Sequence, residues 1–449
     1  MNSVIAFLAI TFAPIQSSPM DQAVALKNVG LTDLSSYPLL VELTSKVGPR
    51  LSGSKGAERA VEWGKATMER LGFQNVRLQP CMVPHWERGV ETLTAKDGTK
   101  SIPLNCCALG GSVATPKEGI EAEVIMVNSL EEGEKLGDKA KGKIVFFNGA
   151  FDPTHVSTFA AYGGAVGQRS RGASSVSKFG AVAVLVRSMS SGMDDEPHTG
   201  AMRYDDGIAK IPAAAVGTRS ANYLASRIKS GTTKVKLTLG CQTFPDAPSH
   251  NVMGEIVGSQ FPNEVIVVGG HLDSWDKGTG AHDDGAGCVQ SMDVLRMIKK
   301  LGWKPKRTIR AVLFMNEENG GRGAAAYADA AKNSKEKHIA AIESDAGGFA
   351  PRGFNCSFDP TQIKKLDAWL PFLSLAEAEK LTPNGGGGAD IGPLKPLGTV
   401  LFGLEPESQR YFDYHHSHND TIEKVNPREL QLGAISMAIL AWLISENGI

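Results

Sequence analysis

Histidines and carboxylates occur in four clusters in the second half of the chain. The clusters are His271 with Asp273 and the nearby His282-Asp283-Asp284, then Asn316-Glu317-Glu318, then Asp345, and finally His415-His416 with His418 and Asp420. Because side chains alternate along an extended chain, His271 and Asp273 are expected to point to the same side. A carboxylate beside an imidazole can fix the orientation of a metal-binding ring. Each cluster alone is unremarkable, but four together indicate one convergent site.

The donor types in these clusters indicate a divalent metal site. Histidines mixed with several carboxylates, and no thiolates, are typical of a site for a hard-to-borderline dication. The six cysteines of the chain show no C-x-x-C pattern and no zinc-finger spacing. Two zinc ions bridged by one carboxylate would need about five protein ligands and would leave positions open for water. In such a pair one ion activates water and the other polarises the substrate oxygen. Because neighbouring side chains diverge, one of Glu317 and Glu318 can bind metal while the other acts as a general base.

The four clusters follow the ends of predicted strands. From His250 onward, strands are predicted at 253–257, 264–269, 308–315, 338–344 and 398–404, and helices at 287–301, about 321–333, 360–374 and 427–446. This alternation predicts an α/β domain with a mostly parallel, mixed sheet and helices on both faces. In such sheets functional groups gather beyond the carboxyl ends of the strands. All four clusters fall at such positions.

A stretch of short predicted strands around a helix rich in small residues predicts a second domain inserted into the first. Within 115–245, short strands are predicted at 121–127, 142–148, 181–187, 211–216 and 233–239, around a Gly/Ala/Ser-rich helix. A chain of 449 residues also exceeds one ordinary core. The predicted organisation is a discontinuous α/β domain, 19–114 and 246–449, with a β-rich insert at 115–245. His155, His198 and the acidic run 194–196 are interpreted as exposed loop residues of that insert.

The net charge and the apolar segments limit the binding partners and the cellular location that the sequence predicts. The net charge is −1, which argues against nucleic-acid binding or polybasic membrane docking as the main activity. The apolar run 4–15 is long enough for the core of a signal peptide and too short to span a bilayer. Residues 1–18 are therefore predicted to be a signal peptide of an exported protein, periplasmic or extracellular, with a buried N-terminal element as the alternative. No membrane span is predicted, and a homodimer is one option for the open oligomeric state.

Four segments resemble the motifs of a known enzyme family. They are H-L-D-S-W-D-K-G-T-G-A-H-D-D-G-A-G from His271, N-E-E-N-G-G-R-G-A from Asn316, E-S-D-A-G-G from Glu343 and Y-H-H-S-H-N-D-T from Tyr414. In this order they resemble the motifs of the co-catalytic dizinc aminopeptidase and exopeptidase family. The insert is similar in place and texture to the protease-associated domain that such enzymes often carry. The resemblance implies a zinc-peptidase fold from about residue 25 onward.

The resemblance implies a set of five metal ligands. His271 and Asp345 would bind one zinc ion. Glu318 and His416 would bind the second ion, and Asp283 would bridge both. Among the three histidines of the last motif, His416 is chosen because the family pattern places a ligand histidine four residues before Asp-Thr. The implied cofactor is therefore a pair of co-catalytic zinc ions.

Other motif residues receive supporting roles from the same resemblance. Glu317 would be the general base that activates the metal-bound water. Asp273 would contribute to catalysis through His271, and Asp420 would orient the ring of His416. The remaining roles are loop packing for His282, backbone bonding for Asp284, and structural or substrate-facing positions for His415 and His418.

The substrate side of the site is less determined by the sequence. The glycine-rich loop 384–394 resembles the substrate-side loop of the family, and an ordinary surface loop is the alternative. Asp390 in this loop, Tyr414 and His418 are the candidate substrate-binding residues. An oxyanion needs a hydrogen-bond donor besides a metal ion, and Tyr411, Tyr414 and His418 are all candidates for it.

These observations predict a metal-dependent exopeptidase that hydrolyses dipeptides or short peptides with free termini. Alternatives with the same machinery are an aminopeptidase that releases single N-terminal residues and a deacylase of acylated amino acids. A non-catalytic binding protein is a further alternative, since the fold also serves in receptor ectodomains. It is disfavoured because such proteins tend to lose metal ligands, and all five ligand positions and the base are present in this chain.

Overall fold

Two eight-stranded sheets form the framework of the molecule. The structure is a computed structural model, and it describes residues 18–449. In chain order the strands are β1 (Gln74–Glu87), β2 (Glu91–Asp97), β3 (Lys100–Leu104), β4 (Cys106–Ala108), β5 (Ile120–Val127), β6 (Ile144–Phe147), β7 (Ala183–Arg187), β8 (Ala213–Val216), β9 (Lys234–Leu239), β10 (Gln242–Ile256), β11 (Phe261–His271), β12 (Arg307–Phe314), β13 (Lys337–Glu343), β14 (Pro351–Cys356), β15 (Lys380–Thr382) and β16 (Val400–Pro406). The first sheet has the order β1-β10-β12-β11-β13-β16-β14-β15, and the second has the order β3-β2-β9-β5-β6-β7-β8-β4.

Helices cover both sheets. In chain order they are α1 (Pro19–Asp33), α2 (Ser36–Glu42), α3 (Lys55–Arg70), α4 (Leu130–Glu134), α5 (Thr158–Ser177), α6 (Thr218–Ser230), α7 (Ala286–Lys300), α8 (Arg322–Lys332), α9 (Leu370–Leu373), α10 (Tyr411–Tyr414) and α11 (Pro427–Asn447). Short π-helical turns lie at Leu43–Val47 and Ala281–Gly285, and 3₁₀ turns at Gly137–Ala140, Ile363–Trp369, Ser374–Ala376, Gly392–Leu397 and Ile422–Lys424.

The first sheet has four parallel strands at its centre, β12, β11, β13 and β16. Strands β10 and β14 join this group antiparallel. Alternation along β11 sends Ile266 and Val268 into the core with α7 and α11, and sends Val265 and Val267 to the opposite face with α8. The predicted mixed, mostly parallel sheet with helices on both faces is confirmed.

The second sheet begins earlier in the chain than the predicted insert boundary. Strands β2, β3 and β4 belong to it, because β2 pairs with β9 and β4 pairs with β8. Strand β10 begins at Gln242 and belongs to the first sheet. The boundaries predicted at 115 and 245 are therefore corrected to the two chain crossings near Val90 and Gly240, where the Gly240 N–H donates to the Val90 carbonyl at 2.8 Å. We use the term insert for residues 91–239.

The last helix, α11, begins with a side-chain cap. Asn426 accepts the N–H groups of Arg428 and Glu429 at the start of α11. This 21-residue helix is the one helix within 18–449 that is long and apolar enough to cross a membrane, and most of it is buried inside the protein.

The helix predicted at 360–374 is not continuous. It is divided into 3₁₀ turns and the short α9, because Pro371 lacks the N–H that a continuous helix needs.

The predicted signal peptide lies almost wholly outside the described residues. Ser18, the first of them, caps α1: its side chain accepts the Asp21 N–H, and the Asp21 carboxylate accepts the Ser18 N–H. Export of the protein therefore stays a prediction.

Candidate metal centre

The side chains predicted to converge lie along one edge of the first sheet. His271 is the last residue of β11, and Glu317 and Glu318 lie in the turn after β12. Asp345 comes shortly after β13, and His416 follows α10. Because the four central strands are parallel, their carboxyl ends meet at this edge.

Asp283 lies between two histidines. Its Oδ1 is 3.2 Å from His271 Nε2, and its Oδ2 is 3.1 Å from His416 Nε2. Asp345 Oδ1 is 3.4 Å from His271 Nε2. Glu318 Oε2 is 3.1 Å from His416 Nε2. One carboxylate therefore faces both imidazoles, and each imidazole has a second carboxylate of its own.

These separations match the spacing of ligands around a metal ion. Two ligands of one tetrahedral zinc ion, each about 2.0–2.1 Å from the metal, are roughly 3.3 Å apart. The four nitrogen-to-oxygen distances span 3.1–3.4 Å. Ligand atoms of His271, Asp283 and Asp345 lie within 4.8 Å of one another, and so do those of Asp283, His415 and His416. The residues present therefore fit a pair of divalent cations.

Both histidines present the same nitrogen to this centre. The Nδ1 of His271 faces the carbonyl oxygen of Asp273 at 2.9 Å, and the Nδ1 of His416 faces that of Thr199 at 3.2 Å. A carbonyl oxygen can only accept, so each Nδ1 donates. A metal ion bound between the rings and the carboxylates would then receive the Nε2 lone pair of each histidine, as a metal ligand requires.

The centre concentrates buried negative charge. Burial, with the neighbouring Asp283 carboxylate, raises the pKa of Glu318 to about 7. Burial and the surrounding carboxylates also raise the pKa of Glu317 well above its usual value. Burial would raise the pKa of Asp283 too, but hydrogen bonds from the two histidines outweigh it and lower that pKa. Crowded carboxylates of this kind are stabilised by positive charge, which divalent cations supply.

His271 is fixed entirely by residues of the first domain. Its backbone N–H donates to Asp284 Oδ2 at 3.0 Å, in line with the predicted backbone-bonding role of Asp284. The Asp273 carboxylate lies 3.8 Å from the His271 ring. It instead accepts the N–H groups of Asn316 at 2.7 Å and Glu317 at 3.1 Å. Asp273 therefore supports His271 through its carbonyl and positions the turn with Glu317 through its side chain.

His416 is fixed by the insert. In addition to the contact between its ring and the Thr199 carbonyl, the Thr199 N–H donates to the His416 carbonyl at 2.9 Å. The preceding His198 donates from Nδ1 to the His415 carbonyl at 2.6 Å, and its side chain is buried. The interpretation of His198 as an exposed loop residue is therefore wrong, because the segment 198–199 packs directly against the last motif. His155 is exposed, as expected.

Asp420 does not orient His416. Its carboxylate accepts the N–H groups of His282 at 2.7 Å and Asp283 at 3.1 Å. The chain turns between His416 and Asp420, where the Asp420 N–H donates to the Ser417 carbonyl, so the carboxylate reaches the neighbouring turn instead of the ring. The predicted role is corrected: Asp420 positions the backbone that carries the shared Asp283.

Comparison with known proteins identifies the family. The family model described as peptidase family M28 matches residues 251–441. Carboxypeptidase Q of Bos taurus is 37% identical to the chain, over 92% of the chain and 85% of that protein. The chain belongs to peptidase family M28. The predicted class, a zinc-dependent exopeptidase, is confirmed at the level of the family.

Further relatives of this M28 peptidase match over nearly the whole chain. Carboxypeptidase Q of Homo sapiens is 37% identical, over 95% of the chain and 89% of that protein. The crystal structure of a peptidase M28 precursor from Shewanella amazonensis SB2B is 33% identical with a TM-score of 0.92, and the match covers 96% of this chain and 97% of that one. BSAP, a zinc aminopeptidase from Bacillus subtilis, has a TM-score of 0.64 at 19% identity, covering 90% and 93% of the two chains; this likeness shows the fold alone.

A cavity of about 260 Å³ opens onto the metal centre of the M28 peptidase. Its wall includes Glu317 and Tyr411 together with four of the five predicted metal ligands, all except His271. The insert contributes Phe159, Tyr162 and Arg169, all from α5. A larger cavity of about 610 Å³ also reaches Asp345 and Phe159. Space for a substrate is therefore formed by both domains.

The three predicted substrate-binding residues do not line the smaller cavity. Asp390 is buried because its loop folds over the end of β13, where the Asp390 N–H donates to Glu343 Oε1 at 3.3 Å. The ring of Tyr414 stacks on that of His282, with centroids 5.4 Å apart. His418 is exposed. These predictions are corrected: Asp390 and Tyr414 pack within the first domain, whereas Tyr411 and Phe412 are the aromatic residues of this segment that line the cavity.

Arg50 is a site residue that the sequence did not reveal. Its guanidinium is fully buried and donates to the carbonyl oxygens of Leu272 at 2.5 Å, Thr279 at 2.6 Å and Gly280 at 2.8 Å. These bonds fix both ends of the loop between His271 and the turn with Asp283. The signal was absent from the sequence because Arg50 lies in an irregular segment far from the motifs.

Proposed function

We propose that this M28 peptidase is a dizinc exopeptidase that hydrolyses dipeptides or short peptides with free termini. The observation that carries the proposal is the position of Asp283, with one carboxylate oxygen at each of two imidazoles. In the proposal His271 and Asp345 bind one zinc ion. Glu318 and His416 bind the other, and Asp283 bridges the two.

The choice of His416 over His415 as a ligand rests on distance. His416 Nε2 lies 3.1 Å from both Asp283 and Glu318. His415 Nε2 lies 3.7 Å from Asp283, and its ring stacks on that of His416 with centroids 3.4 Å apart. Burial lowers the pKa of His415, and the charge of His416 adds to this effect. These features favour a neutral packing role for His415.

Glu317 is proposed as the general base. Bound zinc ions would make a water molecule more acidic and polarise the scissile carbonyl. Glu317 lines the cavity beside Glu318 and Asp345, so its carboxylate is placed to take a proton from the attacking water. Glu317 then passes that proton to the leaving amine as the C–N bond breaks. Asp273, which accepts the Glu317 N–H, keeps this side chain at the cavity wall.

Tyr411 is proposed as the hydrogen-bond donor to the oxyanion. It lines the same cavity as Glu317 and Asp345 and is buried. Burial and the nearby carboxylates raise the pKa of Tyr411 well above its usual value, so its hydroxyl stays protonated and can donate. Tyr414 and His418, the other two candidates, lie outside the cavity wall.

The proposal is tested by replacing the base and by varying the ends of the substrate. Glu317→Gln should lower kcat for a dipeptide by about 10²–10⁴, with two zinc ions per chain retained in elemental analysis. Glu62→Gln, on the exposed face of α3, is the matched control and should leave kcat unchanged. Dipeptides with the amine or the carboxylate blocked, and N-acyl amino acids, complete the panel. Dipeptide hydrolysis that survives Glu317→Gln within a few fold would remove Glu317 from this role.

A further inference from the structure

Arg169 is a buried cation in the wall of the cavity. Its side chain lies on α5 and is 8% exposed. Nη2 donates to the Tyr162 hydroxyl at 2.7 Å, Nη1 donates to the Thr199 carbonyl at 3.4 Å, and Nε is buried without a partner. The backbone at Gly200 leaves space for the guanidinium, since a Cβ there would lie 2.4 Å from it.

Arg169 is not neutralised by an acidic side chain. Within residues 18–449 no carboxylate forms an ion pair with its guanidinium. Two carboxylates of the same cavity are engaged elsewhere: both oxygens of Asp283 face the histidines, and Glu318 faces His416 and the backbone N–H of Trp275. An arginine stays charged at all ordinary pH values, and burying a charge without a partner is costly. Each Nη atom uses one of its two N–H groups, at Thr199 or at Tyr162, so this planar group in the cavity wall keeps donors for a carboxylate ligand.

The guanidinium lies close to the proposed reaction centre. The Thr199 carbonyl oxygen accepts from both Arg169 Nη1 and His416 Nδ1, at 3.4 Å and 3.2 Å. In a dipeptide the scissile carbonyl carbon is three covalent bonds from the carboxylate carbon, a span of at most roughly 4 Å. A carboxylate on Arg169 and a scissile carbonyl at the metal centre are therefore compatible in one short substrate.

We propose that Arg169 binds the free C-terminal carboxylate of the substrate and so selects dipeptides. The proposal rests on the exopeptidase function proposed above and names its substrate class. In a longer peptide an uncharged amide would occupy the position of this carboxylate. The positive charge would also repel the amino terminus, which is thereby directed toward the acidic side of the cavity, where Asp345 lies.

The test compares Ala-Ala with Ala-Ala amide, which differ only in the terminal charge. The wild-type enzyme should hydrolyse Ala-Ala with a kcat/KM at least about tenfold higher, as expected for hydrogen bonds to a charged group. Arg169→Met should lower kcat/KM for Ala-Ala by about 10–100-fold, mainly through KM, and change that for the amide less than about threefold. Arg169→Lys should recover part of the loss. Arg171→Met, an exposed arginine of the same helix, is the matched control and should change neither.

A binding measurement separates substrate recognition from a positioning role. In Glu317→Gln protein, calorimetry should show tighter binding of Ala-Ala than of its amide, and adding Arg169→Met should remove the difference. Equal losses for both substrates would mean that Arg169 only positions Thr199 and His416, and the proposal would fall. A wild-type enzyme that hydrolyses both equally well would also overturn it, and this result needs no variant. Hydrolysis of neither substrate would instead contradict the exopeptidase function itself.

Discussion

The two histidines at the metal centre are matched in geometry but differ in how the chain fixes them. His271 ends a central strand, and its Nδ1 binds the carbonyl of Asp273, two residues away in the same domain. His416 lies in a loop with a positive φ of 61°, and its Nδ1 binds the carbonyl of Thr199 in the insert. The first half of the centre thus depends on local structure, whereas the second half depends on docking of the two domains.

Each half has its own buried arginine. Arg50 donates to three carbonyl oxygens of the loop that follows His271, all within the first domain. Arg88 lies between the domains: it pairs with both carboxylate oxygens of Asp276 and donates to the Thr199 hydroxyl at 3.3 Å. The second arginine therefore joins the chain segment after His271 to the segment that fixes His416.

The largest effect is expected where the two halves meet. Asp283→Asn removes the charge that both imidazoles face, so both proposed ions lose a ligand. We expect fewer than two zinc ions per chain and a loss of kcat/KM of at least about 10³-fold. Asp152→Asn, which changes an exposed carboxylate, should alter neither. An Asp283→Asn enzyme with two zinc ions and near-normal activity would show that Asp283 is not a ligand shared by the two ions.

The second-largest effect is expected in the free energy of unfolding, when the ion pair between Arg88 and Asp276 at the junction of the two domains is broken. Arg88→Met leaves Asp276 without its partner, and breaking a buried pair costs about 3–5 kcal/mol. Because Asp276 is partly exposed, with 30% of its side chain accessible, we expect a loss of about 3 kcal/mol in the free energy of unfolding. Urea unfolding measures it, with Arg171→Met as the control. A loss below about 1 kcal/mol would show that the junction does not depend on this pair.

A smaller effect is expected on zinc retention, and it should differ between the His271 half and the His416 half of the centre. Thr199→Pro removes the N–H that donates to the His416 carbonyl, while nothing bonded to His271 changes. Loss of such support typically costs about 10–100-fold in metal affinity or activity. We expect one zinc ion per chain to be lost to a chelator before the other. Thr199→Ser retains both backbone groups and the hydroxyl that Arg88 contacts, so it should behave like the wild type. Equal loss of both ions in Thr199→Pro would mean that the two halves of the centre are not independent.

The smallest effect concerns pH and the same junction. Burial lowers the pKa of His198 to about 4, so the folded protein keeps this ring neutral while the unfolded chain binds a proton near pH 6.5. The stabilisation is therefore complete above pH 6.5 and is lost as the pH falls toward 4. Between pH 7 and pH 5.5 His198 should account for about 1 kcal/mol of lost stability.

Denaturant titrations at the two pH values measure this contribution. His198→Asn should reduce the decrease in unfolding free energy by that amount, whereas His155→Asn, at an exposed position, should not change it. An unchanged pH dependence in His198→Asn would show that the buried ring does not couple the junction to pH.

The half of the centre that local structure fixes is also the half that the sequence predicts well. Strand 264–269 and the residues after it follow from an apolar run that ends in glycines, and the observed strand ends at His271. The convergence of the other clusters followed from their positions after parallel strands. The ligand chemistry needs only side-chain types, which the sequence displays.

The His416 half of the centre, which depends on domain docking, could not be predicted from the sequence. Thr199 acts on His416 through its backbone N–H and carbonyl, which every residue type except proline provides, so no side-chain pattern could indicate it. His198 was interpreted as exposed because its burial arises from contact with residues more than two hundred positions away. The pairing of β2 with β9 moved the insert boundary for the same reason. For Arg169 the sequence does contain a signal, because Arg169 and Arg171 are the only charged residues of α5.

The most direct test of the central claim is crystallography of the purified enzyme with anomalous scattering at the zinc edge. We predict two zinc peaks per chain that share Asp283, one bonded to His271 and Asp345 and the other to His416 and Glu318. A single peak, or a second peak bonded to His415 in place of His416, would contradict it.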